Sequence, residues 1–208
     1  MYRNLFLLLF AWMCVACGDD ESVLPSYRQD LADMRTDSYG RTVSLLFDDG
    51  RTGMVTASPA IFPKDTLMRV SALYETDGVK VHLHQAVAVF SPLPIVIPED
   101  SMQTDPVMVK ALWRANVRYV NFLISRRTGG GTQYFAFIDA GLRRGGGDSR
   151  VRTLRLYHDQ NGDAAFYTVD SYLSCPTGHY ADSLREGIDS IEVIVNGYGG
   201  EVMKRFLY

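Results

Sequence analysis

The sequence predicts an all-β protein, a five-stranded OB-type barrel followed by a seven-stranded β-sandwich, and three observations carry that prediction. Apolar and polar residues alternate in short runs, most plainly where Leu154 and Leu156 oppose Arg155 and Tyr157, and where Ile191, Val193 and Val195 oppose Glu192 and Asn196. Hairpin-type turns punctuate the runs at Asp48-Asp49-Gly50, Thr76-Asp77-Gly78 and Asn161-Gly162. Prolines crowd the stretch from Pro92 to Pro106, which divides five runs from seven.

Arg3 precedes the apolar run Leu5 to Met13, which is too short to span a bilayer, and Val15-Ala16 set small residues before Cys17. That order predicts a signal peptide over 1–16, cut before Cys17, with Cys17 as the lipidation site. Each buried acyl methylene adds about 0.8 kcal/mol of membrane affinity, so the predicted membrane partner is reached through lipid. Residues 17–26, with Asp19-Asp20-Glu21, read as a lipidated acidic tether. Acidic residues in that place resemble the export mark of surface lipoproteins in Bacteroidetes-like bacteria, which implies a surface-exposed outer-membrane location.

Residues 27–91 are predicted to form the OB-like barrel domain, with strands over Arg28–Arg35, Thr42–Asp48, Thr52–Ser58, Leu67–Tyr74 and Val79–Phe90. Residues 92–106 read as a linker, because proline cannot donate to a ladder. Residues 107–208 then carry strands over Val107–Arg114, Tyr119–Ser125, Thr132–Ala140, Val151–His158, Phe166–Ser174, Ser190–Asn196 and Val202–Tyr208, the pattern of a two-sheet sandwich. Tyr180–Glu186 is the one segment with a helical reading.

Composition narrows the classes of function. A 47% hydrophobic, 22% charged chain with a net charge of −3 is ordinary for a globular protein and implies no polyanionic or polycationic partner. Of three cysteines, Cys14 leaves with the signal and Cys17 is lipidated, so Cys175 stands alone and no internal disulfide is expected. The core must hold the mature chain together, and removing residues 1–16 from 208 leaves enough for two β domains of about 100 residues each.

The order of these features resembles the NigD-like lipoproteins: lipobox, acidic tether, Leu46-Phe47-Asp48-Asp49-Gly50, Asp105-Pro106-Val107, the turn Tyr157-His158-Asp159-Gln160-Asn161-Gly162-Asp163, and the strand Asp189-Ser190-Ile191-Glu192-Val193. The resemblance spans nearly the whole mature chain. It implies an OB domain followed by a β-sandwich and brings no catalytic residues with it. The arginine-rich stretch around Gly141 to Arg152 departs from it as a longer insertion.

No residue constellation predicts catalysis, and no metal or other cofactor is expected. His82 and His84 share a strand face but lack a third ligand, so they read as surface. Asp159, Asn161 and Asp163 have calcium-loop spacing, yet Ala164 occupies the position where that loop needs glycine, so a turn is expected. Cys175 and His179 lack an orienting third group and read as a buried thiol beside a loop histidine. Gly129-Gly130-Gly131 lacks the Lys-Ser/Thr of a phosphate loop and reads as a hairpin loop. Phe47, Tyr74 and Phe90 read as core, which removes the stacking surface that single-stranded nucleic acid would need, and no nucleic-acid partner is expected.

The function expected is therefore that of a non-enzymatic, lipid-anchored envelope protein that binds a surface glycan or protein partner. Tyr119, Tyr134 and Tyr157 are candidate contacts, although ordinary sheet-face tyrosines would look the same. Arg143 and Arg144, within a basic cluster that also reads as a mobile solvated loop, are candidate steering residues. The alternatives are an envelope hydrolase with a pocket between the domains, or an inhibitor or immunity-type protein.

Overall fold

A computed structural model describes residues 26–208, so the signal peptide, Cys17 and the acidic tether up to residue 25 lie outside the described residues. Five strands, β1 (Arg28–Thr36), β2 (Thr42–Phe47), β3 (Thr52–Ala57), β4 (Leu67–Thr76) and β5 (Lys80–Ala88), close into a barrel in the order β1-β2-β3-β5-β4, with β1 pairing both β2 and β4. Closure removes the sheet edges, and β3 and β5 run parallel, as in an OB-type barrel. Alternate residues turn inward: Ala32 and Met34 from β1, Leu45 and Phe47 from β2, Val70, Ala72 and Tyr74 from β4, and Val81 and Leu83 from β5. The lumen is narrow at Gly53, where an added Cβ would meet Val81 Cγ2 at 2.4 Å. Phe47 and Tyr74 stack at 4.8 Å in this core, as the sequence predicts.

Seven more strands follow: β6 (Met108–Ala115), β7 (Tyr119–Thr128), β8 (Tyr134–Arg144), β9 (Arg150–Asp159), β10 (Tyr167–Pro176), β11 (Ser190–Gly197) and β12 (Gly200–Leu207). They form a three-stranded sheet, β10-β7-β6, and a four-stranded sheet, β12-β11-β9-β8. Phe122, Ile124, Leu173 and Cys175 from the first sheet meet Phe137, Leu154, Leu156 and Val193 from the second. Side-chain alternation then turns Asn121, Leu123, Tyr172 and Ser174 to the opposite face, toward the barrel. The molecule is thus layered as barrel, three-stranded sheet and four-stranded sheet.

Several local expectations are corrected. Asn161 and Gly162 do bend the chain, at φ of 51° and 70°, but they join β9 to β10, which lie in different sheets. Gly129–Gly131 likewise carries the chain from β7 in one sheet to β8 in the other. Neither is a hairpin, because turn chemistry specifies a reversal and says nothing about which strand receives the chain. The Tyr180–Glu186 helix reduces to a 3-10 turn over Gly178–Tyr180. Phe90 is not barrel core: it is 39% exposed and packs 6.1 Å from Phe137 of the sandwich.

The stretch between the halves is bonded to the sandwich at several points. Phe90 forms a bridge to Leu173, the Ile95 N–H donates to Phe137 O, and the Asp139 N–H donates back to Ile95 O. Further on, the His158 N–H donates to Gln103 O and the Asp105 N–H to His158 O. Between these anchors, residues 96–102 cross the outer face of β8 and β9 beside Ile138 and Arg155.

Candidate functional site

The barrel meets the three-stranded sheet through a buried charged cluster centred on Arg69, whose side chain is 2% exposed. Its Nε donates to Ser174 Oγ at 3.2 Å, Nη1 to Asp33 Oδ1 at 3.3 Å, and Nη2 to Asp48 Oδ1 at 2.6 Å and Asn121 Oδ1 at 3.2 Å. Asn121 donates to Asp48, Ser174 to Asn121, and Arg118 to the second oxygen of Asp33. The Arg69 guanidinium lies 4.2 Å above the Tyr119 ring. Burial, and then Asp33, push the Tyr119 hydroxyl up to about 12. Tyr119 is therefore part of this internal joint, away from the other two candidate tyrosines.

Two clefts flank the joint, between the halves as the hydrolase alternative requires. One, of about 490 Å³, lies among Asp33, Arg35, Leu46, Arg118, Tyr119 and His179. The other, of about 290 Å³, has Trp113, Leu123 and Tyr172 on the sheet side, and Gln29, Asp49 and Arg51 on the barrel side. Asp49 is held below the ordinary carboxylate range, first by the Arg51 backbone N–H and also by its guanidinium, so it is ionised and paired.

At the far end of the sandwich, the loops β7–β8 and β9–β10 are tied together by one carboxylate. Asp163 Oδ1 accepts the N–H groups of Gly129 at 3.0 Å and Gly131 at 2.9 Å, and Oδ2 accepts Thr128 Oγ1 and Gln133 Nε2. These bonds, the Thr128 hydroxyl foremost, lower its pKa to about 2. Gln133 is held in turn by Arg127 O and by His158, whose buried ring stacks on Phe135 at 4.4 Å. This braced end exposes Phe166 (82%), Tyr167 (53%), Tyr134 (52%) and Tyr198 (47%). Phe166 and Tyr167 adjoin the glycine loop, and Arg127 lies 5.2 Å over the Tyr198 ring. Tyr157 stands behind Tyr134 on the outer face of the four-stranded sheet, one diagonal step away in register. Sequence reasoning singled out Tyr134 and missed Phe166, Tyr167 and Tyr198. The available signal was an aromatic pair placed directly after a turn, before strand alternation begins.

Most of the arginine cluster lies on strands. Arg143 and Arg144 end β8, Arg150, Arg152 and Arg155 lie on β9, and only Gly145–Ser149 form the turn. Arg143 and Arg205 share Glu192; Arg150 and Arg185 share Asp189, which they hold far below its ordinary value; Arg152 pairs with Asp139, and Arg155 with Glu201. Arg144 has no ion pair among the described residues and lies with Asp148 and Arg185 around a shallow hollow. Burial pushes the Cys175 thiol well up, the opposite of an activated nucleophile. His82 and His84 stack at 4.5 Å on the barrel surface, and His84 meets Glu75 at 2.9 Å. Among the described residues, no three His, Cys, Asp or Glu side chains gather at metal-holding distance.

This layered arrangement recurs in solved structures. A NigD-like immunity protein from Bacteroides caccae superposes with a TM-score of 0.66 at 21% identity, covering 88% of this chain and 98% of its own. The chain has the NigD-like fold. A candidate toxin-related protein from Parabacteroides distasonis also superposes on the chain (TM-score 0.66, 14% identity, 88% and 93% covered). So does a candidate lipoprotein from Bacteroides fragilis (TM-score 0.60, 10% identity, 87% and 96% covered). No family model and no curated protein sequence matches the chain. No helix among the described residues is long and apolar enough to cross a membrane.

Proposed function

We propose that the protein is a lipid-anchored, non-catalytic component of the bacterial envelope that binds a protein partner through the far end of its sandwich. The observation that carries this reading is the braced aromatic end. Exposed Phe and Tyr side chains on loops that are already hydrogen-bonded in place supply contact area with little left to order on binding. Arg127 beside Tyr198 adds a charged contact at the same end. Likeness in fold to an immunity protein is in keeping with a protein partner and with the immunity-type alternative. Cys17 anchoring and surface exposure belong to the same proposal, since a tether raises the effective concentration of a binder beside a partner in the membrane. The test places a photo-crosslinking amino acid at position 166 in cells, with the same probe at exposed Val79 of the barrel as the comparison. A discrete protein adduct at 166, absent at 79 and lost on Tyr167→Ser, is the expected result. Absence of any protein adduct overturns the proposal. So does turnover of ester, glycoside or peptide substrates that survives purification and is abolished by changing one carboxylate.

A further inference from the structure

The cleft between β1, β2 and the three-stranded sheet is a second surface, separate from the aromatic end. Its sheet side is a small aromatic wall: Trp113 on β6 and Tyr172 on β10 reach across Leu123 of the intervening β7 and meet edge to face at 6.4 Å and 89°. The buried Leu31 and Phe47 border the cleft on the barrel side. Opposite lies a polar rim, in which the Gln29 amide donates to Ser71 Oγ at 3.0 Å and Arg51 pairs with Asp49. The Trp113 indole N–H and the Tyr172 hydroxyl have no hydrogen-bond partner among the described residues, which leaves two polar handles in the wall.

We infer that this cleft is a saccharide-binding site that takes a pyranose unit of a neutral glycan, with one sugar face against one ring of the perpendicular Trp113–Tyr172 pair, the other ring at its edge, and its hydroxyls on the Gln29, Ser71, Asp49 and Arg51 rim. A pyranose is itself two-sided, with C–H groups on a face and hydroxyls around the edge, and the cleft has that division. Its volume of about 290 Å³ lies just below the range of about 300–1,000 Å³ for ligand sites and suits a single ring. Charge argues for a neutral ligand over a cationic one. Asp48 is neutralised by Arg69 and Asp49 by Arg51, while Asp30 accepts the Tyr74 hydroxyl at 2.7 Å. Two of the three carboxylates therefore offer acceptor lone pairs with their charge compensated, and Asp30 has no ion pair among the described residues.

The sequence supplies the probe. Trp12 falls within the predicted signal, so Trp113 is the single tryptophan of the processed protein and its fluorescence reports this wall alone. Processed, lipidated protein in a zwitterionic detergent without a sugar headgroup would be titrated with neutral gluco-, manno-, xylo- and galacto-oligosaccharides, and separately with choline and lysine. A saturable change in Trp113 emission with at least one neutral oligosaccharide is expected. Tyr172→Ala and Arg51→Ala should each weaken it tenfold or more, Tyr172→Phe should weaken it less, and exposed Val79→Ala should leave it unchanged. Three results overturn the inference: no response to any oligosaccharide at millimolar concentration, a response only to choline or lysine, or a response that survives Tyr172→Ala in a variant with unaltered urea unfolding. The crosslinking at position 166 is read independently, so either proposal can fail without the other.

Discussion

Arg69 and Asp163 show how one side chain can hold several segments. Arg69 lies on the outer face of β4, where a barrel residue would ordinarily meet water, and the three-stranded sheet covers it instead. A buried guanidinium is tolerable only if its donors are matched, and here Ser174, Asp33, Asp48 and Asn121 match them. Arg69→Ala should therefore cost about 3–5 kcal/mol in urea unfolding, because two carboxylates lose a partner in a desolvated place. Arg69→Lys should not restore it, since a point charge cannot fork to these acceptors and stack on Tyr119. Asp163 gives a pH signature. Its folded pKa of about 2 lies below the ordinary 3.8, so its contribution is complete above the ordinary value and is lost as pH falls from there toward 2. The amide resonances of Gly129 and Gly131 in the folded protein should titrate with a midpoint near 2 and become pH-independent in Asp163→Asn. Titration near pH 3.8 would show that the carboxylate is not braced.

At the scale of elements, strand positions were legible and strand partners were not. Runs such as Leu154–Leu156 and Ile191–Val195 state which side is buried, and those residues are core. Nothing in the Asn161-Gly162 turn states that β10 joins the other sheet, because that choice is made by long-range pairing. The prolines after Ser91 read as a linker, since the single-residue pairings at Ile95 and Thr104 leave no periodic trace in the sequence. These pairings lead to a prediction about cleavage. Limited proteolysis should cut first within Pro98–Met102, where exposed Glu99–Ser101 cross between anchors. The two pieces should nevertheless elute together from gel filtration and separate only in denaturant, held by the Arg69 cluster and the Phe90 bridge. Separation under native conditions would mean the joint is weaker than its geometry implies.

For the whole molecule, the candidate sites were the least legible feature, since each gathers residues far apart in sequence: Asp33, Arg69, Asn121 and Ser174 at the joint, Tyr134, Phe166 and Tyr198 at the aromatic end. The ten residues of β7 separate these two places, running from Tyr119 beside the barrel to Thr128 at the far loops, roughly 30 Å at about 3.3 Å per residue. The chain enters the described fold through β1 of the barrel, so a lipid on Cys17 would hold the molecule from its barrel side. Under the proposed outer-membrane anchoring, the side of the membrane this end faces can be read with a single thiol. Under the proposed processing, Cys14 is removed, Cys17 is acylated, and the remaining Cys175 is fully buried with its thiol pKa raised, so the native protein should be silent to maleimides. Thr132→Cys introduces a thiol in the exposed β7–β8 loop, where only the backbone carbonyl of Thr132 is engaged, by Asn161. A membrane-impermeant maleimide should label that variant in intact cells as strongly as after the outer membrane is opened, whereas labelling that appears only after opening would place the protein on the periplasmic side. In Cys17→Ala the protein should instead appear in an unprocessed or released form, and normal fatty-acid labelling of that variant would remove the basis for lipid anchoring.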